Sequence, residues 1–146
     1  MFEILFSIIL AVIGVCIVAF MIYDRIRKNR LRDLMNRRLP LNDSAFSARW
    51  FSESPQLSDT AVRLRKILQE NIEQPLDSLN PDDRLEDDLY LELPRNPDLF
   101  WAIEQEFDIK TSILDYAVHE NDLKSLNTFR DLIGYVEAKR SEVETK

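Results

Sequence analysis

The sequence predicts an all-α protein, an N-terminal transmembrane helix followed by a small bundle of three to four helices with a long first loop. Three observations predict it. Residues 4–22 carry no charge and no proline, and a run of about 20 apolar residues is what a helix needs to cross a bilayer. Further along, Leu64, Ile67, Leu68 and Ile72, then Leu99, Ile103 and Phe107, then Phe129, Leu132, Ile133 and Val136 recur at helical spacing. No alternating apolar pattern argues for a sheet, and no internal repeat is visible.

The apolar run reads as an uncleaved anchor over residues 1–23. A cleaved signal would place positive charge before the run and small residues after it, whereas here Glu3 precedes it and Tyr23-Asp24-Arg25 follows. Residues 24–38 form a basic juxtamembrane segment. Arg25, Arg27, Lys28, Arg30 and Arg32 are its membrane-proximal cations, with Arg37 and Arg38 behind them. Such residues are retained on the cytoplasmic side, so the soluble domain is expected in the cytoplasm, and they also attract anionic lipid. Ser7, Ala11 and Gly14 share one face of the span, through which another span could approach. Cys16, the one cysteine of the chain, lies inside the apolar run and reads as a small packing residue, with no disulfide or thiolate site.

Charge divides the chain. Through Arg38 there are seven Lys or Arg against three Asp or Glu; from Leu39 there are 12 against 23, so the formal −7 of the whole is +4 and −11 in its two parts. Residues 39–57, Ser-rich and framed by Pro40 and Pro55, have the composition of a linker. Phe46, Trp50 and Phe51 do not suit an inert linker; docking on the domain is the default expectation, with a place at the membrane interface or against a partner as the alternatives.

The soluble domain is expected over residues 58–140. Ser58 or Asp59 is the candidate cap of its first helix, which ends near Pro75. A polar loop over residues 77–88 follows, with Leu79 and Leu85 as inward anchors. Asn96, Pro97 and Asp98 are in turn a good N-cap, a good first helical residue and a carboxylate favoured by the helix dipole. They start a helix that buries Leu99, Phe100, Ile103 and Phe107. Ile109 and Ile113 open an irregular stretch through Asp122, and a last helix starts near Asn127 or Thr128, with Tyr135 beside its apolar face. Residues 141–146 are a polar tail.

In order and near-spacing, Lys66-Ile-Leu, Ile72, Leu79, Leu85-Glu-Asp-Asp-Leu89, Ala102-Ile-Glu-Gln-Glu-Phe-Asp108 and Leu126-Asn-Thr-Phe-Arg-Asp-Leu-Ile-Gly-Tyr-Val136 resemble the acyl carrier protein family. The chain is also similar to uncharacterised bacterial carrier-like proteins that keep the Leu-Glu-Asp-Asp-Leu loop, which implies a bacterial inner membrane. Members of the family esterify 4'-phosphopantetheine to a serine at the head of the second helix. Counted back from Phe107 that position falls on Leu93, before Pro94, and a leucine has no hydroxyl to esterify. A literal Asp77-Ser78-Leu79 lies in the first loop, before Leu85–Leu89, and reads as coincidence. No cofactor is therefore expected.

What the resemblance leaves is the family's acidic partner-facing surface: Glu86, Asp87 and Asp88 in the loop, Asp98 and Glu104 on the helix, and Trp101 as an amphipathic anchor. Catalysis has little to stand on. His119, the one histidine, has no cysteine partner, and the run from Asp82 to Asp88 lacks the glycine of a calcium loop. The acidic domain has the wrong sign for nucleic acid. The expected function is a membrane-anchored, carrier-like adaptor, not an enzyme, binding a membrane-associated enzyme of lipid or envelope metabolism through that enzyme's basic patch. Two alternatives stay open: a genuine tethered carrier using Ser78 or another serine, and a small subunit acting through its span.

Overall fold

The computed structural model describes residues 2–93, 96–109, 123 and 125–144, and over these it is all helical. Helix α1 runs Phe2–Asn36 (35 residues), α2 Asp43–Trp50, α3 Pro55–Ile72, α4 Pro97–Phe107 and α5 Phe129–Glu144. Helix α1 is long and apolar enough to cross a membrane. Helix α3 is the hub, packed against α2, α4 and α5.

The expected juxtamembrane segment is not a separate element. Helix α1 passes through it without a break, and its far end enters the soluble core, where Leu31 is 2% exposed and Met35 5%. Four residues apart, the two lie on one face. The apolar residues of α1 from Phe6 to Ile26 are all exposed in the isolated chain.

The expected linker likewise holds a helix. Asn42 caps α2 by accepting from the Ala45 N–H at 2.8 Å. Phe46 is fully buried, and Phe51 packs on it with ring centroids 5.7 Å apart. The expectation that these aromatics dock on the domain therefore holds for both. Arg65 of α3 reaches α2 from beneath, donating to the Leu41 carbonyl at 3.0 Å, pairing with Asp43 and lying 4.5 Å over the Phe46 ring. The Arg65 guanidinium beside Asp43 holds that carboxyl below its usual range.

Helix α3 starts earlier than its apolar stripe suggests. Ser54, rather than Ser58 or Asp59, is the cap, and Pro55 takes the first turn, where its missing N–H costs nothing. Leu64, Ile67, Leu68 and Ile72 are buried as the spacing predicts. Glu73 closes the helix in the left-handed region at φ 57°.

The loop after α3 runs alongside α1. Lys28 pairs with Glu73 at 3.3 Å, Arg32 donates to Gln74 at 3.5 Å, and Arg38 pairs with the buried Asp83 at 2.6 Å. Leu76, Leu79, Leu85, Leu89, Leu91 and Leu93 are all buried. Backbone bonds then tie the loop to the start of α5: Leu85 N–H to the Asn127 carbonyl at 2.9 Å, and Phe129 N–H to that of Asp83 at 3.0 Å.

Helices α4 and α5 begin where their caps predict. Asn96 accepts from the Leu99 N–H at 3.2 Å and binds Asn71 of α3 at 2.9 Å, while Leu99, Ile103 and Phe107 are buried. At α5 the Thr128 hydroxyl accepts from the Asp131 N–H, and the Asp131 carboxylate accepts from the Asn127 and Thr128 N–H groups at 3.0 and 2.9 Å, a reciprocal cap. Burial pushes the Asp131 carboxyl up, but these donors outweigh it and the net shift is downward. The expected irregular stretch from Ile113 through Asp122 lies outside the described residues.

Candidate functional site

Helices α3 and α4 run antiparallel, because Asn71 near the end of α3 meets Asn96 at the start of α4 while Arg63 pairs with Glu106 at 2.8 Å. With Leu99, Ile103 and Phe107 turned inward, Trp101 is carried outward and is 61% exposed. Past Tyr23, it is the only exposed aromatic among the described residues. Asp98 is exposed in the first turn and Glu104 is half buried on the next. This combination, a large amphipathic ring with a carboxylate three residues before it and another three after, is the kind of surface that anchors a partner.

The other three expected docking residues lie in the loop before that helix. Glu86 is exposed. Asp87 pairs with Arg84, and Asp88 accepts from the Arg84 N–H at 2.8 Å, so part of the loop's charge is spent within the loop. Asp87 and Asp88, with Tyr90, also line a groove of about 260 Å³ whose other wall is Arg30, Asp33, Leu34 and Arg37 of α1. No described hydrogen bond or ion pair joins either aspartate to α4. Asp87 and Asp88 thus face the basic half of α1, and Asp98, Trp101 and Glu104 lie apart from them on α4.

The membrane-proximal cations divide in the same way. Lys28 is held by Asp24 and Glu73, Arg32 reaches Gln74, and Arg27 lies 5.8 Å over the Tyr90 ring. Arg25 and Arg30 remain exposed. Part of this segment's charge is therefore spent on holding the loop after α3.

Ser78 and Leu93 are both buried. The Ser78 hydroxyl donates to the Met35 carbonyl of α1 at 2.6 Å. Leu93 sits just ahead of α4 with its carbonyl accepting from the Asn96 N–H at 3.1 Å. No group of three metal-ligating side chains occurs among the described residues, and His119 lies outside them. No known family model matches this sequence, and no solved structure matches the chain.

Several structural residues escape sequence reasoning. Arg65, 4% exposed, hides in an otherwise apolar stripe, and Thr60, fully buried, joins α3 to Glu137 and Arg140 of α5, with Arg140 donating to both oxygens at 2.9 and 2.8 Å. The Arg38–Asp83 pair looks like two more members of long charge runs. Only the Asn42-Asp43 cap before Ala45-Phe46 was a readable signal for α2.

Proposed function

We propose that this chain is a single-pass inner-membrane protein whose cytoplasmic, acyl-carrier-like domain carries no prosthetic group and works as an adaptor, not an enzyme. The observation that carries the reading is Trp101, exposed between Asp98 and Glu104 on a helix whose opposite face is fully committed to the core. An exposed tryptophan flanked by carboxylates matches a partner with an apolar pocket rimmed by Arg or Lys. A membrane-associated enzyme that also recognises genuine acyl carriers, in lipid or envelope metabolism, is the partner of that chemistry. The anchor raises the domain's local concentration at the bilayer, so a weak contact can be occupied.

Two burials support a domain that acts without phosphopantetheine. A leucine stands where the arm would be esterified, and the Ser78 hydroxyl is turned inward onto a carbonyl of α1. The basic half of α1 supports the orientation, because Lys and Arg flanking a span are retained in the cytoplasm.

The test is coexpression of the full chain with a broad phosphopantetheinyl transferase, combined with a photo-crosslinker in place of the exposed Gln105, one turn along α4 from Trp101. The reading expects an unchanged mass and a discrete crosslinked membrane protein. A mass gain mapped to any serine would show a working carrier instead.

A further inference from the structure

The turn between α2 and α3 and the first turns of α5 border a cleft of about 510 Å³, within the range of about 300–1,000 Å³ typical of small-ligand pockets. Its apolar lining comes from Trp50, Phe51, Leu57 and Ile133. Gly134 lies exposed beside them in mid-helix, where a Cβ would meet nothing within 4 Å. Glycine there weakens α5 and is not required by its packing; it leaves the apolar patch uncovered.

The charges of the cleft differ from wall to wall. On the α5 side Arg130 is paired with Asp82 at 2.9 Å. On the side formed by residues 49–54, Arg49 and Glu53 are both exposed, and among the described residues neither makes an ion pair or a side-chain hydrogen bond, with the other or elsewhere. Arg49 lies 5.0 Å over the Trp50 ring, and a guanidinium stacked by its face keeps its in-plane N–H groups free to donate. One wall thus offers a cation and an anion together, next to an apolar floor. A ligand with a single charge meets one of these groups and is opposed by the other. A ligand with both charges at one end and an apolar body at the other satisfies the whole set. We propose that this cleft binds a zwitterionic α-amino acid with a large apolar side chain, its carboxylate accepting from Arg49, its ammonium donating to Glu53, and its side chain lying over Gly134 between Leu57 and Ile133. The cleft shares no residue with the Trp101 face, so the inference stands or falls apart from the adaptor reading.

The chain has two tryptophans, so the ¹⁵N-labelled full chain in zwitterionic nanodiscs gives two indole N–H signals, assigned with Trp101→Phe. L-Phenylalanine is titrated beside N-acetyl-phenylalanine, which lacks the ammonium, and phenylalaninamide, which lacks the carboxylate. The ring current of the bound amino acid should move the Trp50 signal alone, and saturably. Each analogue should bind about fivefold more weakly, the upper end of what an exposed ion pair contributes. Arg49→Gln should bring phenylalanine down to the level of the amide, and Glu53→Gln to the level of the acetyl derivative. Gly134→Leu fills the cleft and should abolish the shift while keeping or raising the melting temperature. A Trp50 shift that is absent or fails to saturate, N-acetyl-phenylalanine or the amide binding as tightly as phenylalanine, or either rim variant binding like the parent would overturn the proposal.

Discussion

The two halves of α1 belong to one unbroken helix and meet opposite fates. From Phe6 to Tyr23 every described residue is exposed, as suits the part proposed to lie in lipid; from Leu31 onward the same helix enters a protein core. Composition explains the first half, position the second. Among seven cations, two apolar residues four apart suffice to dock the helix, and the cations on either side of them become fasteners: Lys28 to Glu73, Arg32 to Gln74, Arg38 to Asp83. The basic stretch of α1 is thus a piece of the fold, and the helix runs from its exposed apolar half into the core without a break.

The comparison can be broken most severely at the segment expected to be a tether. Phe46→Ala should destabilise the domain by about 3–5 kcal/mol, the cost of a buried aromatic truncated to a cavity, read by urea denaturation; a change near zero would return residues 39–57 to a linker. Next is the docked half of α1 itself. Leu31→Ala should cost about 2–5 kcal/mol, whereas Ile9→Ala, on the exposed apolar half, should leave the domain's unfolding midpoint in place. Arg38→Ala leaves Asp83 buried and short of a partner and should cost about 1–3 kcal/mol, with Asp83→Asn in the same background recovering part of the loss.

Smaller effects sharpen the picture. Thr128→Ala removes one side of the α5 cap and should cost about 1 kcal/mol. Asp43 and Asp131 both hold carboxyls lowered by their donors. The unfolded chain then binds more protons in acid, so their contribution is present above the ordinary carboxylate value and is lost as pH falls below about 4. Asp131→Asn should flatten that acid limb. Smallest in stability is Trp101→Ala, expected within about 0.5 kcal/mol of the parent, although it should eliminate crosslinking to a partner.

How much was legible depends on whether the signal was local. The caps at Asn96 and Thr128 and the stripes of α3, α4 and α5 follow from neighbouring residues, and the helices sit where those residues put them. Ser54 was missed because the Ser58-Asp59 pair offered an equally good cap beside the stripe, while Pro55 looked like a linker boundary and is in fact the first helical residue. The pairing of Arg65 with Asp43 and the turning of Ser78 onto Met35 join residues 22 and 43 positions apart, and the docking of Leu31 and Met35 into the core is likewise a tertiary contact, which periodicity cannot supply. On α4 the outward placement of Trp101 follows from the stripe that turns Leu99, Ile103 and Phe107 inward. The separation of Asp87 and Asp88 from α4 did not, because it depends on how the loop lies against α1.

The most direct test of a domain fixed to its span is a distance distribution. With Cys16 replaced by Ser, nitroxides at Ser7 on the exposed half of α1 and at Glu70 on α3, measured by double electron–electron resonance in nanodiscs, should give one narrow peak, and Leu31→Asp should broaden it. A broad distribution in the parent protein would mean that the domain swings free of its anchor, and the account of α1 would fail.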